Sequence, residues 1–211
     1  MKIGVLISGR GSNLEALLKA KKRGQLEAAE FVLVVSNNPD APGLERARER
    51  GIPTLVLDHR SHRTPDDRLD RAGHEAAVVD ALREAGADAV VLAGWMRIVG
   101  ERLLAAFPGA IINIHPSLLP SFPGLHAQRQ ALDHGVKVTG CTVHFVDDGM
   151  DTGPIIVQRA VPILETDDEA SLSTRLLREE HGAIVEAVDL WSQGRLAIEG
   201  RRVRVRSLRT G

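Results

Sequence analysis

Short runs of β-branched and other apolar residues alternate, from Lys2 onward, with longer stretches whose apolar positions recur every three or four residues. Continuous apolar runs suit strands buried on both faces, and a 3.6-residue period suits helices laid across them. The pattern therefore predicts successive strand–helix–strand units around a largely parallel sheet. Strands are expected at KIGVLIS (2–8), EFVLVVSNN (30–38), TLVLD (54–58), ADAVVLAGW (87–95) and AIINIH (110–115). The helices between them are SNLEALLKAKKRG, capped by Ser12 or Asn13 and ended at Gly24, then GLERARERG, then a long one from Pro65 to Gly86, then ERLLAAF. The long helix has Leu69, Ala76, Val79 and Leu82 on one face.

Beyond His115 the pattern changes. A helix over 126–134 leads to strands VTGCTVHFV and PIIVQRAVPI, joined by a loop so short that the pair should be antiparallel. A helix from Asp168 to Gln193 and a hairpin RLAIEGRRVRVR, turning at Glu199 and Gly200, follow. The expected fold class is α/β, a Rossmann-like doubly wound mixed sheet, mostly parallel with an antiparallel C-terminal edge. We read residues 1–211 as one domain, with a phosphate-binding half to 115 and a second half, 116–211, carrying the C-terminal helix and hairpin.

Charge narrows the partners: 27 basic against 28 acidic residues leave a net charge of -1, which gives no global field toward nucleic acid or membrane. No apolar run approaches the ~20 residues that span a bilayer. A single cysteine, Cys141, excludes an internal disulfide, and the chain opens directly on a strand, so the expectation is a cytoplasmic protein.

Two stretches carry candidate chemistry. SGRGSNLEA lies where a strand feeds a helix, so helix-start N–H groups could hold a phosphate, with a tight turn and N-cap as the alternative. It is not a dinucleotide fingerprint, because Leu14 replaces the third glycine and VVSNN ends its strand without an acid. It also lacks the ending of a P-loop. In IINIHPSLLPSFPG, Asn113 and His115 stand two apart on a strand and so point to one face. A carboxamide N–H and an imidazolium converging there make an oxyanion site for acyl transfer, against the alternative of two satisfied core polar groups. A donor histidine needs a carboxylate, and DDGMDTGP offers Asp147, Asp148 and Asp151 without choosing among them. His115, His126, His144 and Asp151 could be drawn as a metal site, but their spacing matches no ligand signature and no metal is expected.

Together NIHPSLLPSFPG, SGRGSN, LAGWMRIV and DDGMDTGP resemble the formyltransferases that use 10-formyltetrahydrofolate, from residue 1 to about residue 195. The resemblance is closest to the branch acting on N1-(5-phosphoribosyl)glycinamide in purine biosynthesis. Methionyl-tRNA formyltransferase and formyltetrahydrofolate deformylase share the Asn-x-His plus Asp core but carry a further C-terminal or N-terminal domain, for which this chain is expected to have no room.

The resemblance implies that Asn113 binds the formyl oxygen, His115 donates a proton and Asp151 keeps His115 charged. It implies that Gly11, Ser12, Asn13 and Glu180 hold the ribonucleotide. Met96, Arg97, Ile98, Val99, Asn113, Asp147, Asp148 and a ligand-contacting arginine at Arg63 would serve the folate. It further implies a cis Leu119–Pro120 bond, 10-formyltetrahydrofolate as cosubstrate with no tightly bound cofactor, and small-molecule partners; the apolar helices leave room for a homodimer. The rivals are a nucleotide-cofactor oxidoreductase, suggested by fold alone, and a non-catalytic sugar-phosphate sensor.

Overall fold

The computed structural model describes residues 1–207, and the chain divides into two compact units, Met1–Ile112 and the part from Asn113 onward. The first unit contains β1 (Lys2–Ile7), α1 (Ser12–Lys22), β2 (Glu30–Ser36), α2 (Gly43–Arg48), β3 (Thr54–Val56), α3 (Arg71–Glu84), β4 (Ala89–Leu92), α4 (Glu101–Ala106) and the start of β5 (Ile111–His115). Its strands run in the order β3-β2-β1-β4-β5. β1 is parallel to both β2 and β4, and β2 to β3. β4 is buried throughout and β1 everywhere but Lys2, which is why both read as unbroken apolar runs.

Two sequence expectations fail in this unit. The long helix begins at Arg71, not Pro65, and Leu69 is 45% exposed outside it. Residues 63–70 instead close on themselves: Thr64 N donates to Arg68 O, Arg63 Nη1 to Asp67 O, and Asp67 takes a left-handed φ of 62°. Asp70 then caps α3 by accepting from Gly73 N at 2.8 Å, so the apparent helical phase of Leu69 has no helix beneath it. Nor do Ser12 and Asn13 cap α1. The N-cap is Gly11, left-handed at φ 69°, and no side chain caps the helix.

The second unit contains the end of β5 and then α5 (Ala127–Asp133), β6 (Val138–Phe145), β7 (Ile155–Pro162), α6 (Glu169–Ser192), β8 (Leu196–Glu199) and β9 (Arg202–Val205). Strand order is β5-β6-β7-β9-β8, with β6 antiparallel to β7 and β8 to β9, while β9 lies parallel to β7. The mixed sheet with antiparallel C-terminal strands is thus as expected. The hairpin turns at Gly200 and Arg201, since Glu199 still pairs with Arg202.

α6 is positioned by its sequence. Leu172, Leu176, Ala183, Ile184, Ala187, Val188 and Trp191 form a buried stripe at helical spacing, packed against β6 and β7. A capping box of Asp168 and Ser171 starts the helix. Beside it, Arg175 grips Asp167 through both guanidinium nitrogens at 2.6 and 2.7 Å and holds that carboxyl well below the usual carboxylate range.

Candidate active site

β5 delivers two polar side chains to one face at the start of the second unit: Asn113 is half-buried and His115 buried. After Pro116 the chain folds into a loop containing a cis Leu119–Pro120 bond and a left-handed Phe122, φ 54°. This loop is fixed from β6 and β7. Thr142 Oγ1 donates to Ser117 O at 2.7 Å and accepts from Leu119 N at 3.1 Å and from Gln158 Nε2 at 3.0 Å. Gln158 Nε2 also donates to Leu119 O at 2.9 Å. The loop in turn presents Phe122 O to His115 Nε2 at 2.9 Å.

The other ring nitrogen, His115 Nδ1, lies 3.4 Å from Asp151 Oδ2. Of the three aspartates in DDGMDTGP, Asp151 is the one beside the histidine. Its side chain is only 14% exposed, it sits at a left-handed φ of 56°, and its Oδ2 also accepts from Gly124 N at 2.8 Å. Both ring nitrogens of His115 thus face acceptors, the Asp151 carboxylate at Nδ1 and the Phe122 carbonyl at Nε2. Left-handed backbone at Phe122 and Asp151, both non-glycine, is the kind of local strain found at functional sites.

His144, on β6, completes the cluster. Its Nε2 lies 3.3 Å from Asn113 Nδ2 and 3.7 Å from Asp151 Oδ1, and its Nδ1 2.8 Å from Phe145 O. Among the described residues no group of three or more His, Cys, Asp or Glu is disposed to hold a metal ion. Sequence reasoning weighed His144 only as a metal ligand. The signal that singled out Asn113 and His115, a polar group in an otherwise apolar strand, applied to His144 as well. The backbone groups of Phe122 and Gly124 left no such signal, because any residue supplies them.

Of the remaining expected residues, Asp147 is tied into its own loop by Thr152 Oγ1 at 2.7 Å and Gly149 N at 3.2 Å, and Asp148 is exposed. Glu180 is buried within the α6 stripe. The others lie in the first unit. Gly11 ends the β1 turn against the start of α2: a Cβ on Gly11 would come within 2.7 Å of Gly43 Cα. This close approach, with the left-handed φ, is what requires glycine. Without a side-chain cap, the first turn of α1 keeps the character of an anion site. Met96 N donates to Ser8 Oγ at 2.8 Å, while the Met96 and Ile98 side chains are 67% and 79% exposed. Arg63 is engaged within its own loop by Arg60 O and Asp67 O.

Known proteins resemble the chain over most of its length. Residues 1–188 match the formyl transferase family. The phosphoribosylglycinamide formyltransferase of Bacillus subtilis (strain 168) is 43% identical over 180 residues, covering 85% of this chain and 89% of the relative. The trifunctional purine biosynthetic protein adenosine-3 of Drosophila melanogaster is 47% identical over 194 residues, 92% of this chain, but the chain spans only 14% of that protein's length. Among solved structures, glycinamide ribonucleotide transformylase 1 from Symbiobacterium toebii superposes with a TM-score of 0.91 at 52% identity, covering 98% of this chain and 94% of its own. With the family matched over most of its length and these relatives beside it, the chain belongs to the formyl transferase family.

Proposed function

We propose that the chain transfers the formyl group of 10-formyltetrahydrofolate to the amine of N1-(5-phosphoribosyl)glycinamide. Formyl transferases use this folate as a substrate, and full-length relatives carry the corresponding name. The observation that carries the reading is the joining of Asn113, His115 and Asp151 into one cluster, with donors on one strand face and a carboxylate behind the imidazole.

The amine attacks the formyl carbon, and negative charge develops on the formyl oxygen. Asn113 donates to that oxygen through Nδ2–H, and the charged His115 ring stabilises the same developing charge. Collapse reforms the carbonyl and breaks the bond to the folate nitrogen N10, which takes a proton from His115 directly or through water, while the proton lost by the attacking amine passes through water to His115 and restores it. Asp151 Oδ2, 3.4 Å from Nδ1, holds the ring in place for this exchange. The uncapped start of α1 at Gly11, Ser12 and Asn13 suits the substrate phosphate, with Glu180 a further ribonucleotide contact. The exposed apolar Met96 and Ile98, with Arg97 and Val99, suit a flat heterocycle, and Asp147, Asp148 and Arg63 complete the folate contacts. No tightly bound cofactor takes part in this scheme.

The test is to mix the protein with 10-formyltetrahydrofolate, with and without the ribonucleotide, and follow tetrahydrofolate by absorbance and the formylated ribonucleotide by mass. Product should form only with both substrates present. Folate turnover without the ribonucleotide would make the chain a hydrolase instead, and no turnover in either arm would refute the reading.

A further inference from the structure

His144 has no part in the scheme above, yet its ring is 2% exposed and touches both Asn113 and Asp151. Its tautomer follows from geometry. Nδ1 stands 2.8 Å from Phe145 O, a distance at which nitrogen must carry the proton, since two lone pairs would repel. Burial pushes the ring toward its neutral form, outweighing the Phe145 bond and the attraction of Asp151. The charged groups around the ring, Asp151 and Asp147 in the β6–β7 loop and His115 on β5, are those already described. A neutral ring protonated at Nδ1 leaves Nε2 with a lone pair only, and 3.3 Å from it lies the Asn113 carboxamide.

A carboxamide has two ends of nearly equal size and opposite polarity, so packing alone does not choose between them. A lone pair at Nε2 does. We propose that His144 is a positioning residue which, by accepting one N–H of Asn113, turns the carboxamide so that the second N–H of the same NH2 group is the donor offered to the formyl oxygen. With the amide reversed, a carbonyl lone pair would face the developing oxyanion and oppose it. The inference rests on Asn113 being that donor, as proposed above, but the orientation itself can be tested without turnover.

In the full chain labelled with 15N-histidine, long-range 1H–15N correlation at pH 7.5 should show His144, assigned by its loss in His144→Gln, protonated at Nδ1 and bare at Nε2. An Nε2–H tautomer or a charged ring would overturn the proposal. The kinetic arm compares two variants. Gln returns a carbonyl acceptor near Nε2 whereas Leu returns none, so kcat should fall ~10–100-fold in His144→Leu and stay within about 5-fold of the parent in His144→Gln, with ribonucleotide KM little changed in both. Equal losses in the two variants, or a loss confined to KM, would refute the positioning role. Absence of formyl transfer in the parent would refute the proposed function and leave the tautomer result to decide the orientation.

Discussion

Replacing Asn113 by alanine removes one hydrogen-bond donor from the cluster and leaves β5 otherwise intact. We expect kcat to fall ~10²–10³-fold with an unchanged circular dichroism spectrum, as when other oxyanion donors are lost. Asp151→Asn keeps the side-chain shape and removes the charge beside His115, so kcat should drop while far-ultraviolet and thermal signals show the chain still folded. Thr142→Val acts at one remove. It strips the hydroxyl that serves Ser117 O, Leu119 N and Gln158 Nε2, leaving buried polar groups unmatched at ~1–3 kcal/mol, which a urea titration would register. Because the same loop presents Phe122 O to His115, that variant should also lose turnover, whereas a change confined to stability would limit Thr142 to folding. Asn113 and His115 were legible in the sequence because the two-residue period of a strand fixes their common face. Which aspartate joins them came only from the family resemblance, which named Asp151, since a loop of glycines and acids has no period to read.

At the level of the element, local chemistry decided where periodicity misled. The apolar phase of Leu69, Ala76, Val79 and Leu82 is continuous in sequence, but the Asp70 cap starts α3 after Leu69. Asp70→Ala should destabilise the chain by about 1 kcal/mol in a denaturant titration. The β1–α1 turn was legible as a turn, yet its cap was misassigned: a left-handed Gly11 does the work ascribed to Ser12 or Asn13. Gly11→Ala sets a Cβ against Gly43 Cα in a backbone conformation that alanine resists, so it should cost ~1–3 kcal/mol. It should also weaken the ribonucleotide more than the folate in separate binding titrations. The start of α6 carries an acid-dependent element. Asp167 has a folded pKa below its unfolded value because of Arg175, so its stabilisation is present above about pH 4 and is lost as pH falls through the folded value. Asp167→Asn should flatten that part of the stability profile.

At the scale of the whole molecule, among the described residues His74 and His144 are the histidines that burial pushes toward the neutral form. His74 donates Nε2–H to Leu57 O at 2.8 Å and stacks on Trp95 with ring centroids 6.1 Å apart. Burial pushes its pKa down, as it does for His144, and His62, Arg97 and His59 push it further. A depressed histidine pKa means that the unfolded chain binds protons the folded chain refuses. Stability is therefore whole above the unfolded value of ~6.5 and declines as pH falls below it toward the folded values. The urea midpoint should drop between pH 7.5 and pH 5.5, and a uniform midpoint over that range would contradict the burial of both rings in neutral form.

Cys141 gives this unfolding a built-in clock. It is the chain's one thiol, fully inaccessible on β6, and burial pushes its pKa up to about 12. A disulfide reagent needs both access and a thiolate, so the folded chain should present neither, and each labelling event records an excursion in which β6 has come out of the sheet. With excess reagent the labelling rate approaches the opening rate itself. At low reagent it measures the open population, so a single unmodified cysteine lets the strand bearing His144 be timed in native buffer.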